Sequence, residues 1–280
     1  MDLLVSTQWL ADELGASDLR IVDATYFLPE MGRDAAAEFE AKHISGALYL
    51  DLTGLVDSDS PFPNTVPPAE TFASRIRTLG LGDGSRIVVY DNSPHRTASR
   101  AWWLFRLFGV KDVAILDGGL PKWLAEGRPV KSGTTATRNQ DFTISKDDAT
   151  FRTTAQVAEA LTSGSAQVID ARSPARFTGE EQETRPGLAS GHMPGAINLP
   201  YGKLFNPDGT WKQGDDLKAA FDAAGVDPAR PIIATCGSGI TACSLAFGAA
   251  LLGRDDVAVY DGSWSEWGAD PALPKATGAA

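Results

Sequence analysis

The densest chemistry in this chain lies at Cys236-Gly237-Ser238-Gly239-Ile240-Thr241, which follows an apolar run at 232–235 and leads into an alanine-rich stretch at 242–252. Strand, cysteine, tight loop and helix is the order a nucleophile needs. Two glycines let successive N–H groups curl inward into an anion-binding nest, and a helix start behind the loop adds unpaired amides and its dipole. A cysteine in that setting is favoured as the thiolate, the nucleophilic form. The same donors would solvate a second sulfur bonded to it. The expected roles are therefore Cys236 as nucleophile and Gly237, Ser238, Gly239, Ile240 and Thr241 as the cradle of a persulfide. Cysteine phosphatases also hold an anion after a strand, but they place an arginine six positions beyond the cysteine, where this chain has Ala242. Phosphatase or arsenate chemistry thus lacks its main cation. Cys243, one turn into the expected helix, is read as packing, with a redox partner as the other possibility.

The elements that must position this loop occur twice. Ile21-Val22-Asp23-Ala24 recurs as Val168-Ile169-Asp170-Ala171, and His43-Ile44-Ser45-Gly46-Ala47 as His192-Met193-Pro194-Gly195-Ala196. Further on, Ile87-Val88-Val89-Tyr90-Asp91 corresponds to Ile232-Ile233-Ala234-Thr235-Cys236, and Asp117-Gly118-Gly119 to Asp261-Gly262-Ser263. The offsets, 147, 149, 145 and 144, are nearly constant and imply a duplicated domain. Short apolar runs at 87–90, 113–116, 232–235 and 257–260 alternate with helical spacing at 69–79, 98–108, 155–161, 217–224 and 242–252. That alternation predicts an α/β protein in which each copy is a parallel sheet flanked by helices, with ligands beyond the strands' carboxyl ends. The expected division is 1–130, a polar linker at 131–150 rich in Ser, Thr, Asp and Lys, and 151–280. In the first copy the nucleophile's place holds Asp91, a carboxylate that cannot accept a sulfane sulfur.

Composition narrows the classes. With 25 basic and 36 acidic residues the net charge is −11, which repels phosphate backbones and anionic lipid. No run approaches the roughly 18 apolar residues of a membrane span, and Met1-Asp2-Leu3-Leu4-Val5-Ser6 has no signal-peptide pattern, so a cytoplasmic enzyme is expected, without nucleic-acid or membrane partners. Two cysteines and three histidines offer no ligand cluster, so neither a metal nor an organic cofactor is expected.

These motifs carry a resemblance. The two copies, the loop Cys-Gly-Ser-Gly-Ile-Thr, and the blocks Gly191-His192-Met193-Pro194-Gly195-Ala196 and Tyr260-Asp261-Gly262-Ser263-Trp264-Ser265-Glu266-Trp267 resemble the tandem-domain rhodanese superfamily over essentially the whole chain. The loop is similar to that of its mercaptopyruvate sulfurtransferase branch; thiosulfate-specific relatives carry Cys-Arg-Lys-Gly-Val-Thr. The resemblance implies two rhodanese-like domains, the first inactive and forming one wall of an interdomain cleft. It also implies transfer of sulfane sulfur from 3-mercaptopyruvate through a cysteine persulfide to a thiol acceptor, thioredoxin being one candidate, or to cyanide. Thiosulfate sulfurtransfer and a non-catalytic binding or redox module are the alternatives.

The segment 175–185 is long, polar and without counterpart in the first copy, and extra loop length beside an active edge usually serves function. Arg176 and Arg185 fall, at the family's spacing of nine, on arginines that hold the pyruvoyl carboxylate and carbonyl; a guanidinium offers forked donors to a planar carboxylate. The competing reading pairs both with Glu180, Glu181 or Glu183. Ser238 matches a loop serine that the family groups with a His and an Asp for proton handling. Here those two positions fall on Asn64, in Pro61-Phe62-Pro63-Asn64, and on Thr53. Asn64 is expected to hydrogen-bond substrate and cannot act as a base near neutral pH. His43 and His192 occupy equivalent places in both copies, which points to the fold.

Overall fold

A computed structural model of the chain describes residues 1–183 and 185–279. It forms two compact units. Unit 1 comprises Met1–Asp57, Val66–Asp147 and Pro207–Thr210; unit 2 comprises Ser58–Thr65, Asp148–Asn206 and the chain from Trp211 onward. Each unit thus includes a short piece from the other half of the sequence.

Unit 1 runs β1 (Leu4–Val5), α1 (Thr7–Glu13), β2 (Leu19–Asp23), α2 (Ala35–Ala41), β3 (His43–Ile44), β4 (Ala47–Tyr49), α3 (Ala69–Thr78), β5 (Arg86–Tyr90), α4 (Ala98–Leu107), β6 (Val113–Leu116), α5 (Gly119–Ala125) and β7 (Val130–Lys131). Unit 2 runs β8 (Phe151–Arg152), α6 (Thr154–Ser163), β9 (Gln167–Asp170), α7 (Pro174–Thr178), β10 (Ile197–Asn198), α8 (Gly214–Ala223), β11 (Ile232–Thr235), α9 (Ala242–Leu251), β12 (Ala258–Tyr260) and α10 (Ser263–Trp267). The sheets have the same order, β4-β2-β5-β6-β1 and β10-β9-β11-β12-β8, and every neighbouring pair is parallel.

The sequence explains why β5 and β11 lie in the middle. Both are continuous apolar runs, and every residue from Ile87 to Tyr90 and from Ile232 to Thr235 is buried, as a strand covered on both faces requires. Helix α9 is buried from Ala242 to Ala250, which is why it is built of small and apolar residues without a polar stripe. The chain leaves β5 at Asp91 and β11 at Cys236, so both turns open at the carboxyl ends of central strands.

Each unit is locked by the same pair of rings. His43 Nδ1 pairs with the Phe39 carbonyl at 2.8 Å and stacks on its ring; His192 Nδ1 pairs with the Phe177 carbonyl at 2.9 Å and stacks likewise. His43 lies four positions after Phe39 and His192 fifteen positions after Phe177. The second copy therefore carries an insert at this corner, and it contains Arg185. Thr184 lies outside the described residues.

The polar stretch expected as a linker packs on unit 1 as far as Asp147. Gly133 N donates to Glu40 O (2.7 Å), Thr135 Oγ1 to Ala47 O (2.7 Å), Thr137 Oγ1 to Thr78 O (3.2 Å), Thr143 Oγ1 to the Asp83 carboxylate (2.7 Å) and Asp147 N to Leu107 O (2.8 Å). Phe142 anchors it, buried against Phe72 with ring centroids 5.9 Å apart. No helix among the described residues is long and apolar enough to cross a membrane.

Candidate active site

Cys236 is buried at the end of β11, 2% exposed, and its loop is pinned by the Ser263 hydroxyl. Ser263 Oγ accepts from Cys236 N (3.2 Å) and Gly239 N (3.1 Å), donates to Tyr260 O (2.8 Å), and lies 4.0 Å from Cys236 Sγ. To reach that place Ser263 adopts φ of 49°, strained for a non-glycine residue and held by those three bonds. The backbone of α10 adds two more ties: Trp264 N donates to Cys236 O (3.0 Å) and Ser265 N to Gly237 O (2.9 Å).

The remaining loop donors are unspent. The N–H groups of Gly237, Ser238, Ile240, Thr241 and Ala242 take no acceptor among the described residues. Unit 1 shows what such donors do when an acceptor side chain is present. Asp91 stands in the place of Cys236, and its carboxylate accepts from Ser93 N (2.8 Å) and Ala98 N (2.7 Å), the latter opening α4 as Ala242 opens α9. Burial pushes the Asp91 carboxyl up from its ordinary range, opposed by those two amides and by Arg96. The first copy fills the cradle with its own carboxyl group; the second leaves the cradle donors to the chemistry of a sulfur.

Arg176 touches this loop, and Arg185 is linked to it through Ser265. A Cβ built on Gly237 would lie 3.3 Å from Arg176 Nη2 and 3.6 Å from Nη1, so the guanidinium rests against the residue that follows Cys236. Arg185 Nη1 donates to Ser265 Oγ (2.6 Å), and Ser265 Oγ donates on to Gly237 O (2.6 Å). In unit 1 the residue before the stacked phenylalanine is Glu38, where unit 2 has Arg176, and Asn92 after Asp91 donates to it at 3.4 Å. The charge beside the loop is reversed between copies.

Arg176 is held by Glu183, at 2.6 Å, and Glu183 also pairs with Arg172 at 2.9 Å. The Glu183 side chain is 1% exposed, Arg176 34%. Arg172 is buried, pairing with Asp170 at 2.7 Å and donating to Gly191 O at 2.8 Å. Burial works against its charge, but Asp170 and Glu183 outweigh burial and raise its pKa above the ordinary value. The alternative arginine–glutamate pairing is thus present for Arg176 with Glu183, though not as a surface pair, while Arg185 is bonded to Ser265.

Asn64 belongs to the segment Ser58–Thr65 of unit 2, in the left-handed region at φ 59°, which asparagine tolerates. Its Nδ2 donates to Ser238 Oγ at 3.1 Å, leaving the Ser238 hydroxyl hydrogen for another acceptor. Cys243 is fully buried, its thiol donating to Gly239 O at 3.3 Å. Glu183, Ser263 and Ser265 were not singled out from the sequence. Ser263 and Ser265 lie in a conspicuous block, Asp261 to Trp267, whose aromatic residues suggest packing; nothing in the sequence distinguishes a buried Glu183 from its exposed neighbours.

Using the Gly237 geometry, we expect Gly237→Ala to displace the Arg176 guanidinium by a few tenths of an ångström. With 3-mercaptopyruvate, KM should rise about fivefold to tenfold at near-wild-type melting temperature. Unchanged steady-state kinetics would contradict this placement of Arg176.

Two parallel α/β units of one strand order, each with a turn at the end of its central strand, define a recognisable class. The chain matches the Rhodanese-like domain family over residues 6–126 and 153–270, and it belongs to that family. It is 42% identical over 270 residues to the 3-mercaptopyruvate sulfurtransferase of Homo sapiens, covering 94% of this chain and 91% of that one. It is 40% identical over 271 residues to the thiosulfate sulfurtransferase of Cricetulus griseus, with the same coverage. The crystal structure of SseA from Escherichia coli, a 3-mercaptopyruvate sulfurtransferase structure, superposes with a TM-score of 0.87 at 36% identity, covering 94% of this chain and 99% of that one.

Proposed function

We propose that the chain is a sulfurtransferase that takes sulfane sulfur from 3-mercaptopyruvate, carries it as a Cys236 persulfide and passes it to a thiol or cyanide, releasing pyruvate. The observation that carries this reading is that Arg176 rests against Gly237, and Arg185 is linked to it through Ser265, beside an uncharged cradle. Mercaptopyruvate has one carboxylate remote from its sulfur, which suits cations outside the loop. Thiosulfate, a compact dianion, suits cations within it, and Gly237 and Ser238 supply none.

The reaction has two halves. Arg176 and Arg185 orient the pyruvoyl carboxylate and carbonyl, and the Cys236 thiolate attacks the thiol sulfur of the substrate. A sulfur–sulfur bond forms and the carbon–sulfur bond breaks, its electron pair leaving as the enolate of pyruvate. That carbanion takes a proton, for which Ser238, bonded by Asn64, is the candidate donor. The loop amides solvate the persulfide. An acceptor thiolate then attacks the outer sulfur and returns Cys236 to the thiolate; thioredoxin in the cytoplasm is the acceptor and setting we favour. Residues 151–280 form the catalytic copy, and 1–130, with Asp91 in the cradle, the inactive one.

Each of Arg176→Met and Arg185→Met should lower kcat/KM for 3-mercaptopyruvate by about 10- to 100-fold, the worth of a charge-assisted hydrogen bond, and lower thiosulfate turnover less. Specificity constants for the two donors test the assignment directly. A clear preference for thiosulfate would overturn it in favour of thiosulfate sulfurtransfer.

A further inference from the structure

Both units carry a groove between the outermost strand of the sheet and the neighbouring helix. In unit 1 it lies between β4 and α3, with Leu48, Leu50 and Leu79 in its wall, and the chain at 134–137 borders it. Thr134, Thr135 and Thr137 lie across it, with Thr135 bonded to the β4 carbonyl of Ala47 and Thr137 to the last carbonyl of α3. The counterpart in unit 2 lies between β10 and α8 and is lined by Asn198, Leu199, Lys203, Lys212, Ala220 and Ala224. The approach to the groove is also repeated. His43 pairs with Lys131 just before the strap of unit 1, and His192 pairs in the same antiparallel sense with Ala276. Past that point Gly278 N donates to Thr178 O, and no described residue lies across the unit 2 groove as Thr134 to Thr137 do in unit 1.

The lining indicates what would fit. The helix presents alanines, of which Ala219 and Ala223 are exposed, so a main chain can approach closely, and among the described residues β10 pairs with β9 alone, leaving its outer side to an extended segment. Lys203 and Lys212 make no ion pair among the described residues, in a chain of net charge −11. Asp216 is the single acid in the lining. We infer that the β10–α8 groove docks an extended acidic peptide segment of another protein. The segment sits as residues 134–137 sit in unit 1, with small hydroxyl side chains on the strand edge and carboxylates on Lys203 and Lys212. This docking is independent of the sulfur chemistry.

Fluorescence anisotropy with the full chain tests it. The probe is a labelled synthetic peptide with the sequence of residues 131–141 in which Lys131 and Arg138 are exchanged for glutamate. We expect saturable binding, weakened about tenfold or more by Lys203→Glu with Lys212→Glu, by Ala223→Trp, and by about 0.5 M salt, while melting temperature and sulfurtransferase turnover of these variants stay at the wild-type level. Hydrogen exchange should slow in 197–203 and 214–224 on binding. No saturation up to about 1 mM peptide, or equal affinity in the variants, would overturn the inference. A concentration-dependent dimer in sedimentation velocity that Ala223→Trp abolishes would also overturn it, since a second copy of the chain would then be the occupant.

Discussion

Turnover of 3-mercaptopyruvate is expected to fall by about 10⁴-fold or more in Cys236→Ser, with thermal stability close to wild type. A serine hydroxyl is not ionised at neutral pH and an oxygen cannot carry the sulfane sulfur, so both halves of the reaction are lost. The scaffold around the residue should hold: Ser263 binds the main chain of Cys236 and Gly239, and α10 binds the carbonyls of Cys236 and Gly237, none of which needs the sulfur. Cys243→Ser is the control. Its thiol donates to Gly239 O, a bond a hydroxyl can keep, so activity should stay within a few-fold of wild type. Pyruvate release and a thermal melt check both variants; activity within about tenfold of wild type in Cys236→Ser would contradict the role assigned to it.

The second large effect concerns stability and has opposite signs at equivalent positions. Asp170 pairs with buried Arg172, so Asp170→Asn leaves a buried guanidinium short of a counter-charge and should cost about 3–5 kcal/mol. Asp23, its counterpart in β2, has Thr25 where unit 2 has Arg172. Burial pushes the Asp23 carboxyl from its ordinary 3.8 up to about 6, against hydrogen bonds from Thr25 and Tyr90. The folded chain therefore holds a proton there that the unfolded chain releases. Stability from this group is full below about pH 4 and is lost as pH rises through about 6, reaching roughly 3 kcal/mol of cost at neutral pH. Asp23→Asn should thus leave the protein as stable as wild type or more so at pH 7.5, with the advantage shrinking toward pH 4. Urea unfolding across that range measures it, and a loss in Asp23→Asn as large as that in Asp170→Asn would contradict this account.

The sequence made some of this legible and concealed the rest for physical reasons. The central strands were readable because burial on both faces demands unbroken apolar runs, and the cradle because only a cysteine followed by glycines at a helix start has that pattern. Strands of two residues, such as β1, β3, β8 and β10, carry no periodicity and passed unseen. Residues 131–147 look like a linker because their hydroxyls serve main-chain carbonyls, a use that leaves no hydrophobic signal apart from Phe142. Arg176 and Arg185 were reached through the family resemblance, yet Glu183, the buried carboxylate that fixes Arg176, was indistinguishable from Glu180 and Glu181. Asn64 was placed by resemblance alone; its bond to Ser238 joins residues 174 positions apart, which no local pattern encodes.

Intact mass spectrometry of the protein after brief exposure to 3-mercaptopyruvate bears most directly on whether Cys236 carries the sulfur. The account predicts a gain of one sulfur atom, about 32 Da, mapped to Cys236, erased by cyanide and absent from Cys236→Ser. A protein that turns over the donor yet gains no mass, or gains it equally in Cys236→Ser, would contradict it.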